Sequence, residues 1–485
     1  MVGDPNLQGR RLTRSPATRN IQGLLQRRVV LEWALAGLLA AAAVCWCASS
    51  QALARADALI YDAAMRLAKP APRDDIVIVA IDNESLRALG RWPWPRERHS
   101  QALGRLAAAH PRAVAYDVLF ADPDMNPETD RRLAAAIRAA APVFLPLLVE
   151  VPGPDGAAAR ALGPAGSLGA AAAGLGQVNL DFDPDGVVRG VYLTEQIGGR
   201  AWPHLMELMR QAARPAPEGP AAKAPASLAA GTFTRSRRML IPFAGPPGHF
   251  PTVSFVDLLR GQVPAEVFQG RLVLVGATGD GLGDRYPTPV TSATEVMSGV
   301  ELQANILQAL LTGRAITPLP LPWLIGLSLA PLAALMGGLL WLRPRANMIL
   351  GLALIALCLG VSAALLGLWR IWAPPCAAIA GLVLVYPVWS WRRLEAANAY
   401  MATELEAQSR EPVLLPRPSE PEPLLGGDVI GRQVGLLRQA VRETRDLRRF
   451  MSDTLHSLPD ATLMVAADGT VLLANHEAEI GRAHV

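Results

Sequence analysis

Cysteine is scarce in this chain. Four of the 485 residues are cysteine, and each lies within a long apolar run. They are Cys45, Cys47, Cys358 and Cys376. The large region between the second and the third has no disulfide partner and no thiolate metal ligand, so its stability must come from a packed core.

Histidine is also sparse, and no metal site is expected. The histidines of the central region occur singly, without the spacing that places two imidazoles on one helix face. They are His99, His110, His204 and His249. The glycine-rich loop at 276–284 lacks the Lys-Ser/Thr pair of a phosphate-binding loop and the spacing of a dinucleotide fingerprint. With no catalytic constellation in the sequence, we expect neither a catalytic residue nor a cofactor in this chain.

Long apolar runs, by contrast, are abundant. Hydrophobic residues make up 51% of the chain, and its mean hydropathy is +0.24. Four runs approach or exceed the roughly 20 residues that cross a bilayer core. They cover residues 29–52, 319–342, 347–369 and 371–391. We therefore expect about four transmembrane helices in contact with the lipid bilayer.

The placement of arginine predicts the topology. The net charge of +4 comes from a basic segment at 1–28, and Arg343, Arg345 and Arg392 follow later runs. This distribution fits the positive-inside rule and not a nucleic-acid partner, so it places both termini in the cytoplasm and residues 53–318 outside it. The alternative for the first run is a cleaved signal peptide, because a small-residue site at 52–54 follows it.

Short apolar runs alternate with helical patterns across residues 53–318. Strands are predicted at 76–81, 113–119, 143–149, 187–193 and 272–275, and helices at 98–109 and 130–140. Continuous apolar strands between helices indicate an α/β sheet that is covered on both faces. The Ala-, Pro- and Gly-rich stretches at 153–173 and 215–231 predict surface loops.

Six segments of this region follow one another in a distinctive order. They are residues 76–96, 115–124, 183–189, 272–278, 288–290 and 299–305. Together they resemble the CHASE2 family of extracytoplasmic sensor domains in bacterial signalling receptors, over roughly residues 52–318. The resemblance implies a non-enzymatic sensor for an unknown ligand, on the periplasmic side of a multi-pass protein of the bacterial inner membrane.

Charged and aromatic side chains lie at or just beyond the ends of the first two predicted strands. They are Asp82, Glu84, Arg91, Trp92, Trp94, Arg96, Asp117 and Asp122. If the two strands are neighbours, these side chains converge at the carboxyl edge of the sheet, where open α/β sheets bind ligands. The alternative is that the tryptophans form a rigid packing plug and the carboxylates cap helices.

The segment after the last apolar run predicts a signalling relay. A helix and a proline-rich linker occupy 392–427, and a heptad pattern at 428–458 predicts a cytoplasmic coiled coil and hence a homodimer. The alternative for the heptads is a helix that packs on its own chain. Residues 459–478 resemble the start of an α+β PAS domain, with a hairpin turn at Asp468-Gly469. Residues 479–485 back-translate into a sequencing adapter, so we expect the natural gene to continue.

These features predict a membrane receptor with an output domain beyond this chain. A sensor histidine kinase of a two-component system, with a response regulator as partner, is the principal expectation. An adenylate or diguanylate cyclase output is the alternative, and a non-signalling membrane scaffold is a third. His456 lacks the acidic residue that follows the phosphoacceptor of histidine kinases, so it is interpreted as a coiled-coil surface position.

Overall fold

A computed structural model describes residues 16–67, 71–151, 159–213, 233–292 and 295–409, with short pieces between 445 and 474. It divides into two compact units, Met1–Leu384 and Val385–Val485. The helices are α1 Pro16–Ser50, α2 Ala54–Leu67, α3 Asn83–Leu89, α4 Arg96–Ala108, α5 Pro127–Ala139, α6 Gly166–Ala171, α7 Leu205–Ala213, α8 Phe255–Arg260, α9 Gly299–Thr312, α10 Leu321–Trp341, α11 Pro344–Ala364 and α12 Cys376–Ser409.

The strands fall mostly in the first unit. They are β1 Ile76–Ile81, β2 Ala113–Tyr116, β3 Val143–Glu150, β4 Arg160–Leu162, β5 Gly174–Gln177, β6 Asp181–Phe182, β7 Val188–Ile197, β8 Arg200–Pro203, β9 Phe233–Leu240, β10 Thr252–Ser254, β11 Leu272–Ala277, β12 Arg285–Tyr286, β13 Met297–Ser298, β14 Thr317–Pro318, β15 Ile371–Trp372, β16 Leu463–Val465 and β17 Val471–Ala474.

The central sheet corrects one expectation about strand order. Its order is β10-β1-β11-β2-β3, and β3 also pairs with β5 and with β4, which alone is antiparallel. Val275 of β11 is opposite Val79 on one side and Tyr116 on the other, so β1 and β2 are not neighbours. Because adjacent strands lie about 4.8 Å apart, the inserted strand separates the ends of β1 and β2 by roughly 10 Å.

Both faces of the sheet are covered, as the apolar strands predict. Val77 and Val79 face a core built with α4, α5, α6 and α8. Ile76 and Ile78 face a second core built with α7, α9 and a small antiparallel sheet of β6, β7, β8 and β9. The stretch predicted as a loop at 153–173 is partly regular, because Leu168 of α6 is fully buried against the first core. The other predicted loop, 215–231, lies outside the described residues.

Three helices are long and apolar enough to cross a membrane. They are Val30–Ser50, Leu321–Trp341 and Pro344–Trp369, the last of which ends in a π-helical turn. The segment 371–391, which was expected to be a fourth span, does not form such a helix in the described part of the chain. It begins as strand β15 and two prolines delay its helix until Cys376, so only a short apolar part precedes Arg392.

The second unit contains the end of α12 and a small hairpin. Strands β16 and β17 pair antiparallel around the predicted turn. Asp468 and Gly469 themselves, His456 and nearly all of the coiled-coil segment at 428–458 lie outside the described residues. The coiled coil and the PAS domain therefore stay predictions.

Candidate functional site

The end of β1 holds a helix cap. The carboxylate of Asp82 accepts a hydrogen bond from the backbone N–H of Ser85 at 2.8 Å and one from the hydroxyl of Ser254 at 3.0 Å. A carboxylate in this position satisfies a free N–H at the start of α3 and is stabilised by the helix dipole. Glu84 lies in the first turn of the same helix and is exposed. Asp82 therefore has the capping role that was the alternative to ligand contact.

The two tryptophans of residues 90–96, which we name the tryptophan loop, pack inward. Trp94 is 5% exposed, its ring centroid lies 5.1 Å from that of Phe255, and its Nε1 donates to the carbonyl of Gly90 at 2.9 Å. Trp92 packs edge-on against Trp94 at 5.1 Å. Below them is His99, whose Nδ1 lies 2.7 Å from the Tyr116 hydroxyl. These contacts make the tryptophan loop part of the core over α4.

Arg96 holds the tryptophan loop to the segment after β2. Its guanidinium bonds with the backbone carbonyl of Asp122 and forms an ion pair with the buried carboxylate of Asp130. It also lies over the Phe120 ring, 5.1 Å from the centroid. Arg91 and the side chain of Asp122 are exposed on the surface. Of the eight predicted residues, the structure thus assigns Arg96, Trp92 and Trp94 to packing and leaves Arg91 accessible.

Asp117 lies at a different place, at the carboxyl end of β2. Its carboxylate is close enough to Asp284 for the two charges to interact, and burial together with that neighbour raises the pKa of Asp117 to about 7. Burial also raises the pKa of Asp284, although a hydrogen bond with the Tyr286 hydroxyl acts in the opposite direction. Among the described residues, no hydrogen bond to the Asp117 carboxylate is recorded. We name Asp117, Asp284 and Tyr286 the strand-end crevice.

The topology places these residues where open α/β sheets form ligand crevices. The chain leaves β1 and β2 towards the helices of one face, whereas it leaves β11 through residues 278–298 towards α9 on the other face. Such a reversal opens a gap outside the carboxyl ends of the strands. Asp284 lies against the start of α9, where an added Cβ at Gly299 would collide with its carboxylate. Asp284 and Tyr286 are not among the predicted site residues, because the glycine-rich loop at 276–284 matches no binding motif and nothing in the sequence places it beside β2.

Replacing Asp117 by asparagine tests this environment. A raised folded-state pKa means that stability is full below the unfolded value of 3.8 and falls as the pH rises towards about 7. We expect Asp117→Asn to match the wild type near pH 4 and to be more stable by roughly 2 to 4 kcal/mol above pH 7. Thermal unfolding of the full chain in detergent, followed by circular dichroism across this range, measures the difference.

The exposed Asp122→Asn variant is the matched control, and as a surface substitution it should change the stability by no more than about 0.5 kcal/mol. A wild type and an Asp117→Asn variant with the same slope between pH 4 and pH 7 would contradict the raised pKa.

A second cluster ties α2, the helix that follows α1, to the small antiparallel sheet. Arg189 of β7 is 5% exposed at its side chain and forms ion pairs at 2.8 Å with Asp62 of α2, Asp183 and Asp185. The hydrogen bond from Arg189 lowers the pKa of Asp185. One arginine thus joins a helix adjoining a membrane span to the sensor fold.

Apolar contacts join the same helix to the other membrane segments. Tyr61 and Met65 of α2 pack with Ile316, Leu366 and Trp372 in one buried cluster. The Tyr61 and Trp372 ring centroids lie 5.1 Å apart. Strand β14, just before α10, pairs with β15, just before α12. We name the Arg189 cluster and this apolar cluster together the membrane junction.

Comparison with known proteins agrees with this architecture. The CHASE2 domain family model matches residues 38–340, more than half of the chain. The chain therefore belongs to the CHASE2 domain family, and a CHASE2 domain is typical of an extracellular sensor in signalling receptors. No curated protein and no solved structure matches it. The match extends beyond the predicted 53–318 into helices α1 and α10.

Proposed function

We propose that this protein is a bacterial inner-membrane receptor that detects a periplasmic ligand and relays the signal to a cytoplasmic output. The membrane junction is the observation that carries the proposal. It connects α2 both to the sensor fold and to the segment before α12. One face of this helix bonds to Arg189, and another packs on Trp372. A shift of the sensor fold would therefore move helices in the membrane, which is what a receptor needs.

The strand-end crevice is the proposed place of ligand contact. A carboxyl group with a pKa near neutrality and no described hydrogen bond, in a gap of an α/β sheet, has the features of a functional residue. Asp117 would accept a hydrogen bond or a positive charge from the ligand. Glu84, Arg91 and Asp122 are exposed and could contribute at the surface, whereas Asp82, Trp92, Trp94 and Arg96 would support the fold around them.

The proposed output is a histidine kinase acting on a response regulator, with the protein as a homodimer through residues 428–458. The hairpin of β16 and β17 supports a PAS-like domain between the membrane and that output. A nucleotide cyclase output fits the same relay. A scaffold that does not signal would need no relay segment, so the heptad pattern favours a receptor. Phosphate transfer from labelled ATP, measured beside cyclic nucleotide formation on the protein purified from its native membrane, distinguishes the outputs.

Alkaline phosphatase fusions test the membrane topology on which the receptor depends. The enzyme folds only outside the cytoplasm, so we expect a fusion after Ala226 to be active and one after Pro418 to be inactive. Immunoblots of both fusions control for expression. The opposite pair of activities would overturn the proposal, because the sensor would then face the cytoplasm.

A further inference from the structure

The membrane helices line a cavity that is partly open at the surface, next to the sensor fold. It has a volume of about 240 Å³ and lies between α10, α11 and the segment 373–378 that starts α12. Leucine, alanine, valine and proline side chains form nearly all of its wall. An apolar cavity of roughly 150 Å³ in a protein core is large enough to hold benzene. This one therefore has room for a ring or for several carbons of a chain.

Two serines and Cys358 are the lining residues with polar side chains, and α10 adds a backbone carbonyl. The hydroxyl of Ser328 lines the cavity, and although this residue is only 2% exposed, no hydrogen bond to another described residue is recorded for it. Pro331, one turn further along α10, has no N–H, so the helix cannot close its usual bond to the carbonyl of Leu327. Leu327 also lines the cavity. One hydroxyl and the carbonyl of one lining residue are thus left without their usual partners in α10.

The second serine of the wall differs in this respect. The hydroxyl of Ser362 donates to the carbonyl of Ala373 at 2.7 Å, which ties α11 to the start of the last helix. Ser362 therefore supports the shape of the cavity, whereas the Ser328 hydroxyl can form a hydrogen bond with a ligand.

We propose that this cavity binds a membrane lipid that has an apolar body and a single hydroxyl group. The ligand hydroxyl would donate its proton to the Leu327 carbonyl and accept one from Ser328, so that every polar group in the site is satisfied. A carbonyl oxygen could use only Ser328, and an alkane could use neither. Both the bilayer environment and this pair of groups indicate a lipid alcohol or phenol.

The cavity adjoins the membrane junction, which gives binding a consequence. Ala373 and Pro374 of its wall directly follow β15, and β15 pairs with the strand that precedes α10. An occupied cavity would hold these two segments apart at a fixed distance. The lipid would thus act on the same helices as the sensor, and the binding itself does not depend on the proposed receptor function.

Photolabelling of the full chain in phosphatidylcholine nanodiscs tests the proposal. The probes are a long-chain phenol with a diazirine in its chain and the alkane of equal length with the same diazirine. We expect the phenol to label peptides of α10 and α11 saturably, with a half-saturating concentration about tenfold below that of the alkane, from one or two buried hydrogen bonds. Excess unlabelled phenol should compete.

Four variants separate the contributions. Ser328→Ala should raise the half-saturating phenol concentration to that of the alkane, whereas Ser362→Ala should keep the preference for phenol. Ala334→Phe, which fills the cavity, should abolish saturable labelling by both probes. Ala333→Phe places the same ring on the neighbouring exposed position outside the cavity and should have no effect.

Three outcomes would overturn the proposal. One is equal half-saturation for phenol and alkane in the wild type. Another is labelling that Ala334→Phe leaves unchanged, because the probe would then bind elsewhere. The third is a change of oligomeric state in Ala334→Phe and not in Ala333→Phe, which would show that a second copy of the chain covers the cavity.

Discussion

Replacing Trp94 by alanine is expected to lower the free energy of unfolding of the sensor by roughly 3 to 5 kcal/mol, the usual cost of removing a large buried aromatic side chain. Trp94 is 5% exposed and packs between Trp92 and Phe255. Its loss leaves a cavity and removes the bond to the Gly90 carbonyl. In a domain of this size the melting temperature should fall by roughly 6 to 20 °C. Circular dichroism of the full chain in detergent measures the change.

Two variants in the same loop give the controls. Arg91→Ala removes an exposed side chain and should change stability by no more than about 0.5 kcal/mol. Trp94→Phe keeps most of the apolar contact and loses the Nε1–H bond, so its effect should lie between the two. A Trp94→Ala protein that melts like the wild type would show that the tryptophan loop does not belong to the core.

The strands of the central sheet are predicted well from the sequence, because each apolar run lies within a few consecutive residues. The unbroken apolar runs at β1, β2 and β11 indicate strands buried on both faces, and the structure covers both faces. The order of the strands is not local, since β11 pairs between β1 and β2 although it follows β2 by more than 150 residues along the chain. Pairing of sequential strands is only a tendency.

The candidate site was predicted in part for the same reason. Asp117 was identified because it directly follows a strand, but its partners come from the loop after β11, which pairs next to β2 only in the folded chain. Trp94 and Arg96 were expected near a ligand because charged and aromatic residues are clustered there. A cluster of residues in the sequence does not show whether their side chains point into the core or towards a ligand. Here Trp94 packs inward on Phe255, and Arg96 pairs with the buried Asp130.

The largest electrostatic effect is expected for Arg189→Ala. Arg189 is almost fully buried and neutralises the carboxylates of Asp62, Asp183 and Asp185. Without the guanidinium, three negatively charged carboxylates remain close together and partly buried, and each has lost its bond to Arg189. Breaking a buried ion pair from one side typically costs 3 to 5 kcal/mol. The exposed pair of Arg160 and Glu150 is the matched control, and Arg160→Ala should leave the melting temperature unchanged, because exposed ion pairs contribute little to stability.

Asp62→Asn separates the attachment of α2 from the stability of the sensor. Arg189 would keep its bonds to Asp183 and Asp185 in this variant, so the small antiparallel sheet should stay protected. Only α2 loses a charged partner, because Asp62 is its link to Arg189. Hydrogen exchange of the full chain should therefore speed up in residues 54–67 and stay unchanged in β7 and β9, whereas Arg189→Ala should raise exchange in both. Unchanged exchange of α2 in Asp62→Asn would mean that the other contacts of this helix, among them the packing of Tyr61 and Met65, hold it without Asp62.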